Sequence, residues 1–244
     1  KLTPAVFVLF FLVRRDWPAA CTAAVSCAAV TALGFAVDGH DSVRYWTSIV
    51  FRPGRAGNLT FASNQSILAV LARAGLDPHA PAGIMTWLAL SAVVAAVACR
   101  GMRHAFAARD DCLALTLNAL AALLISPVSW SHHWVWCVPA LVTLSVLGIR
   151  HRSRLPWAAA AAALAVFAAS PQFWLPHGRN AELRWAFWQQ AAGSSYALLA
   201  ALILLLAASA PWQHAKAACG EAGLSGRPGG GSCSGRGRPR SSRR

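Results

Sequence analysis

Apolar residues in this chain run on continuously rather than recurring at a helical or strand period. Six mostly apolar stretches, at 17–37, 79–99, 112–126, 134–149, 156–170 and 194–210, alternate with polar loops. A helix needs roughly 20 such residues to cross a bilayer. The third and fifth stretches reach that length when extended to Trp130 and Trp174, whose rings favour the membrane interface. The pattern predicts an all-α fold, a polytopic transmembrane helix bundle of about six spans. A further apolar stretch at 2–13 stops at Arg14-Arg15. It reads as the tail of an earlier span, or as a re-entrant or interfacial piece.

Composition agrees. The 244 residues are 57% hydrophobic and 12% charged, with a mean hydropathy of +0.47, where soluble domains carry about 25% charged residues. The net charge of +14 points to nucleic acid until the charges are placed. Of the 22 Lys and Arg, 16 fall at Lys1 to Arg15, 100–111, 150–155 and in the tail, and 6 fall in the alternate loops. Positive charge marks the cytoplasmic side. The loops at 38–78, 127–133 and 171–193 are therefore expected outside and the C-terminus in the cytoplasm. The surplus charge becomes a topology signal, with membrane lipids as partners and no specific nucleic acid.

Residues 1–210 make one membrane region. Residues 211–244, rich in Gly, Ser, Arg and Pro, are expected to form a disordered basic cytoplasmic tail. The chain starts at Lys1 rather than Met, and no signal peptide precedes the first span. It is therefore expected to be the C-terminal portion of a larger protein. The seven cysteines show no CxxC pair and no Cys/His spacing typical of zinc. They read as packing residues, with no disulfide framework and no metal.

Candidate chemistry lies in the outward loops. The first, 38–78, is too long for a plain connection and too aromatic for disorder. Its residues 66–74 read as a short amphipathic helix on the membrane. Its carboxylates, Asp38, Asp41 and Asp77, read as loop or cap residues. The second runs Ser126-Pro127-Val128-Ser129-Trp130-Ser131-His132-His133-Trp134-Val135-Trp136. Its tryptophans alone would be an interface belt. The histidine pair adds groups that can take up a proton or meet an anion near neutral pH. Adjacent side chains diverge, so one histidine is expected to face a site and the other to bond elsewhere. In the third loop, Glu182, Trp185, Trp188 and Gln189 share a helical face, as an interfacial helix or a groove lining.

The string SPVSWSHHWVW resembles the polyprenyl-phosphate-mannose-dependent α-1,2-mannosyltransferases, glycosyltransferase family 87, which have a GT-C-type fold. Lys1-Leu2-Thr3-Pro4, Asn64-Gln65-Ser66-Ile67 and Glu182-Leu183-Arg184-Trp185 through Gln189 add to the resemblance. It covers most of residues 1–210. It implies transfer of mannose, with inversion, from a polyprenyl-phosphate donor to a glycolipid or glycan acceptor at the outer face of the plasma membrane. The donor is a substrate, and no cofactor is implied. Such a reaction needs a base for the acceptor hydroxyl and positive charge at the departing phosphate. His133 and His132 are the candidate catalytic residues. Arg44, Arg52 and Arg55 are candidates for the phosphate, Asn64, Gln65 and Ser66 for sugar hydroxyls, and Trp130 or Trp134 for stacking on a sugar face. The family's acidic base is expected in an outward loop after its first span, upstream of this chain. A lipid or sugar transporter and an inactive fragment are the competing readings. Transporters place charged sites near the midplane. Here no Asp, Glu, Lys or Arg falls in the central part of a span.

Overall fold

A computed structural model describes residues 3–52 and 57–209. The basic tail at 211–244 and Arg55 lie outside the described residues. A short 3-10 turn, Thr3–Val6, leads into α1, Phe7–Arg14. The chain continues through α2 (Trp17–Val37), α3 (Gly39–Thr47), α4 (Ile67–Arg73), α5 (Pro81–Ala107) and α6 (Asp111–Ile125). After a 3-10 turn at Ser131–Trp136 come α7 (Cys137–His151), α8 (Arg154–Ala169), α9 (Phe187–Gly193) and α10 (Ser195–Ser209). Among the described residues no strand forms, and Asn64 and Trp130 make an isolated antiparallel bridge.

Local chemistry sets the helix starts. Asp16 caps α2 by accepting from Ala19 N–H at 3.2 Å, with Pro18 in the first turn. Asp110 caps α6 by accepting from Leu113 N–H at 3.0 Å. Ser66 caps α4 by accepting from Ala69 N–H at 3.2 Å. Each such cap is worth about 1 kcal/mol.

Among the described residues, four helical stretches are long and apolar enough to cross a membrane: Trp17–Val37, Pro81–Ala107, Ser131–His151 and Arg154–Phe173. Phe187–Gly193 and Ser195–Ser209, bent by 71° at their junction, make a fifth if taken as one span. The sequence's third span is α6, whose 15 residues extend only about 22 Å. Instead of meeting lipid it fills the centre of the bundle, with eleven of its residues buried between α5, α7 and α10. The second span runs past its expected end, because the helix continues through Arg100 and Arg103 to Ala107. By contrast α2 is almost wholly exposed, packing on α1 and α3.

The loops sort onto two ends. At one end the basic connections meet: Arg14 pairs with Asp111 at 3.0 Å and Arg150 with Asp110 at 3.2 Å. At the other end the three loops read as outward come together. Asn58 bonds Asn180 at 2.6 Å, Ala62 N–H donates to Glu182 at 3.2 Å, and Gln65 N–H donates to the Ser129 carbonyl at 2.9 Å. Two glycines allow close approaches at this end. A side-chain carbon on Gly83 would lie 2.0 Å from the Asp77 carbonyl oxygen, and one on Gly193 would lie 2.1 Å from the Trp185 ring.

Candidate functional site

The first two outward loops meet as two extended backbone segments. Asn64 Oδ1 accepts from Ser129 N–H at 2.8 Å, and its amide donates to the carbonyls of Leu59 (3.1 Å) and Pro127 (3.4 Å). Ser66 Oγ donates to the Pro127 carbonyl at 3.0 Å. Gln65 Nε2 donates to the carbonyls of Ala62 at 2.8 Å and Gly193 at 2.7 Å. All three side chains are fully buried. Their place is the scaffold beneath the site, where they satisfy loop backbone groups that would otherwise be buried without partners.

This scaffold presents the histidine pair. His133 N–H donates to the Trp130 carbonyl at 2.8 Å, and the Trp130 N–H donates to His133 Nδ1 at 3.0 Å. A backbone N–H only donates, so Nδ1 is the accepting nitrogen. In the neutral ring the proton therefore sits on Nε2. Protonation at Nδ1 would break the Trp130 bond. In this arrangement the neutral His133 ring carries its N–H on Nε2. His132 is exposed, and its ring lies 4.3 Å from that of His133 at 63°. The expected divergence of the pair does not occur; the two rings meet edge to face. Ser131 is pinned to the first loop, its N–H donating to Ser63 Oγ at 3.1 Å and the two hydroxyls lying 2.9 Å apart.

The two tryptophans have different surroundings. Trp130 is half-buried, edge-on to Phe61 with ring centroids 6.2 Å apart. Trp134 is buried in the core against Phe167 and Tyr196, and its Nε1 donates to the Ser129 carbonyl at 3.3 Å. Trp134 therefore has no face to offer a sugar, because the turn points it into the bundle.

Arg44 and Arg52 are exposed, on α3 and just beyond it. Arg44 lines a groove of about 480 Å³ between α2 and α3 together with Asp38 and Asp41. Two carboxylates in the same opening oppose an anion there. Asp38 also caps α3, accepting from Asp41 N–H at 2.9 Å, and Asp77 accepts from His79 N–H at 2.8 Å. The loop and cap reading of Asp38 and Asp77 matches these bonds.

Two elements differ from the sequence reading. The expected surface helix at 66–74 is α4, and it is not amphipathic on a membrane: Leu68, Ala69, Ala72 and Arg73 are buried beneath the loops. In the third loop the single helical face is broken. Ala181–Arg184 forms a 3-10 turn, Trp185 is extended, and α9 starts afresh at Phe187. Glu182 and Trp185 turn inward, while Trp188 is exposed. Glu182 Oε1 accepts from the N–H groups of Ala62 (3.2 Å) and Gly178 (2.8 Å).

The sequence reading missed Arg73, a buried arginine that feels the charge of the buried Glu182. Arg73 donates to the Asn64 carbonyl at 2.8 Å and to Ser194 Oγ at 3.0 Å, and it lies 5.7 Å from the centre of the Trp185 ring. Burial pushes its guanidinium down to about 10, opposed by the nearby Glu182 carboxylate. The available signals were that Glu182 is the one carboxylate of the third loop and that Arg73 closes an otherwise apolar run. Among the described residues no group of three or more His, Cys, Asp or Glu is disposed to hold a metal ion.

An apolar helical bundle with its polar groups gathered in a loop cluster at one end defines a polytopic membrane protein. Glycosyltransferase family 87 matches residues 1–127, and the chain belongs to that family. It is 38% identical over 207 residues to a polyprenol-phosphate-mannose-dependent α-(1-2)-phosphatidylinositol mannoside mannosyltransferase of Mycobacterium tuberculosis, covering 85% of this chain and 48% of the relative. It is 41% identical over 212 residues to the protein of the same description from Mycolicibacterium smegmatis, covering 84% and 48%. A phosphatidylinositol pentamannoside mannosyltransferase of the latter organism is 37% identical over 150 residues, 59% of this chain and 35% of that one. The chain spans about half the length of the first two. No solved structure matches it.

Proposed function

We propose that this chain belongs to a membrane mannosyltransferase that moves mannose from a polyprenyl-phosphate donor to a glycolipid, of the phosphatidylinositol mannoside class, at the outer face of the plasma membrane. Family membership and the relatives' descriptions support the reaction class. The observation that carries the site is the geometry of His133, a ring held by a backbone N–H so that its other nitrogen donates, in the polar cluster at one end of an apolar bundle.

In the reaction the bond between the mannose C1 and the phosphate oxygen breaks. The acceptor hydroxyl oxygen bonds C1 from the opposite face and gives up its proton. The electron pair leaves with the phosphate. His133 Nε2–H is the donor that meets the charge building on that phosphate, a role worth about 10²–10³ in rate for one well-placed donor. His132 and the exposed cation Arg52 supplement the charge, and Trp130 offers a ring edge to the sugar. Asn64, Gln65 and Ser66 act on substrate through the backbone they hold. The proton goes to the acidic base that the family resemblance implies; Asp38 and Asp77 are engaged as caps and Glu182 is buried.

Labelled mannose offered to the full-length protein in vesicles tests the reading. Transfer to endogenous mannolipid is expected from the polyprenyl-linked donor and not from nucleotide-linked mannose. Transfer from the nucleotide donor in vesicles free of polyprenyl phosphate would contradict it.

A further inference from the structure

We propose that Arg73 is a positioning residue for His133, acting through Asn64 and the 129–130 backbone. This inference rests on the reading of His133 as a reacting-site group. Arg73 ends α4 and touches neither histidine by any hydrogen bond given to it. Its guanidinium is nevertheless buried, and removing a charge from water costs several kcal/mol unless precise partners meet it.

The partners are specific. One Nη donates to the Asn64 carbonyl at 2.8 Å, and the other donates to Ser194 Oγ at 3.0 Å. The Arg73 carbonyl accepts from Gln190 Nε2 at 2.9 Å. One residue therefore holds the first outward loop to the third. A planar fork fixes two acceptors at once, which an ammonium or an alkyl chain does not. Glu182 supplies the countercharge from the far loop, and the Trp185 ring covers the guanidinium.

From Arg73 a short chain of bonds runs to the histidine. Arg73 fixes the Asn64 carbonyl. Asn64 Oδ1 fixes Ser129 N–H at 2.8 Å, while Gln65 N–H fixes the Ser129 carbonyl at 2.9 Å. The next residue, Trp130, presents the N–H that holds His133 Nδ1 at 3.0 Å. If Asn64 shifts, the N–H that selects the His133 tautomer shifts with it. A displacement of about 1 Å at a reacting group can cost 10²-fold in rate.

The test is a double-mutant cycle in the full-length protein, with Arg73→Met, which keeps the packing under Trp185, and His133→Asn, which keeps an acceptor for Trp130 N–H but removes the distal donor. Mannose transfer is read per folded, membrane-inserted protein. Imidazole nitrogen shifts of histidine-labelled protein report the His133 tautomer independently of activity. Arg73→Met is expected to lower kcat about 10²-fold with little change in KM, and to mix the tautomers of His133. In the His133→Asn background it should cost almost nothing more. Arg73→Lys, which keeps the charge but not the planar fork, should recover part of the rate, and it substitutes if Arg73→Met fails to insert. Losses that multiply in the double variant, or a His133 tautomer unchanged in an Arg73 variant whose rate has fallen, would overturn the proposal. Full activity of His133→Asn alone would instead overturn the reading of His133, while the tautomer measurement still decides the positioning.

Discussion

His133 shows how a single hydrogen bond narrows a chemical role. A histidine near neutral pH can serve as acid, base or donor, and the sequence left all of these open. The Trp130 N–H at 3.0 Å on Nδ1 leaves Nε2 as the donating atom. Neighbouring positions should then matter less. Trp130→Phe keeps an apolar ring beside Phe61 and is expected to cost under tenfold in mannose transfer; a loss as large as that of a His133 variant would move the reacting contact to the indole. Arg73 behaves differently with pH. Its folded value of about 10 lies below the ordinary guanidinium value, so folded and unfolded chains both hold the proton near neutrality. Only above about 10 does the unfolded chain bind more protons, so this group makes stability rise with pH from there upward and contributes no pH dependence below about pH 9.

At the scale of elements, three loops of short helices and turns are held together by buried polar groups that bond across them. The meeting of Ser63 and Ser131 offers a direct check. With their hydroxyls 2.9 Å apart, Ser63→Cys with Ser131→Cys should form a disulfide under mild oxidation, seen as a mobility shift lost on reduction. Failure to crosslink in a folded protein would mean that the loops do not pack this way. Gly193 gives a second check. Its missing side chain makes room for Trp185, so Gly193→Val should destabilise by about 1–3 kcal/mol through overpacking, visible as a lower unfolding temperature in detergent, whereas Gly39→Ala, with open space at that position, should cost less. The sequence disclosed these loops only in part. The family resemblance made Asn64, Gln65 and Ser66 candidates for sugar hydroxyls. Burial turned them to backbone carbonyls and N–H groups instead. The α4 segment looked amphipathic because Arg73 ends it, yet that arginine points inward to partners 121 residues away in the chain, a pairing that no local periodicity contains.

For the whole molecule, run length made the spans legible: an apolar stretch of membrane length is a direct consequence of the solvent it meets. The loop alternation was legible for the same reason, through the arginines. The structure gathers 14–16, 100–111 and 150–155 at one end by the pairs Arg14–Asp111 and Arg150–Asp110. What run length hid was the division of labour among spans, such as the short, buried α6 and the exposed α2. The positive-inside split predicts which end is cytoplasmic. A reporter fused after Pro211 should be active only if it is of a type that folds in the cytoplasm, and activity of an export-dependent reporter there would invert the map. The central claim is that His133 serves mannose transfer from a lipid-phosphate donor at the loop cluster. Its most direct measurement is the rate of labelled mannose transfer from polyprenyl-phosphate-mannose by full-length wild type and His133→Asn, each normalised to membrane-inserted protein. A loss of about 10²-fold or more at unchanged insertion is the predicted result; a near-wild-type rate in the variant would contradict it.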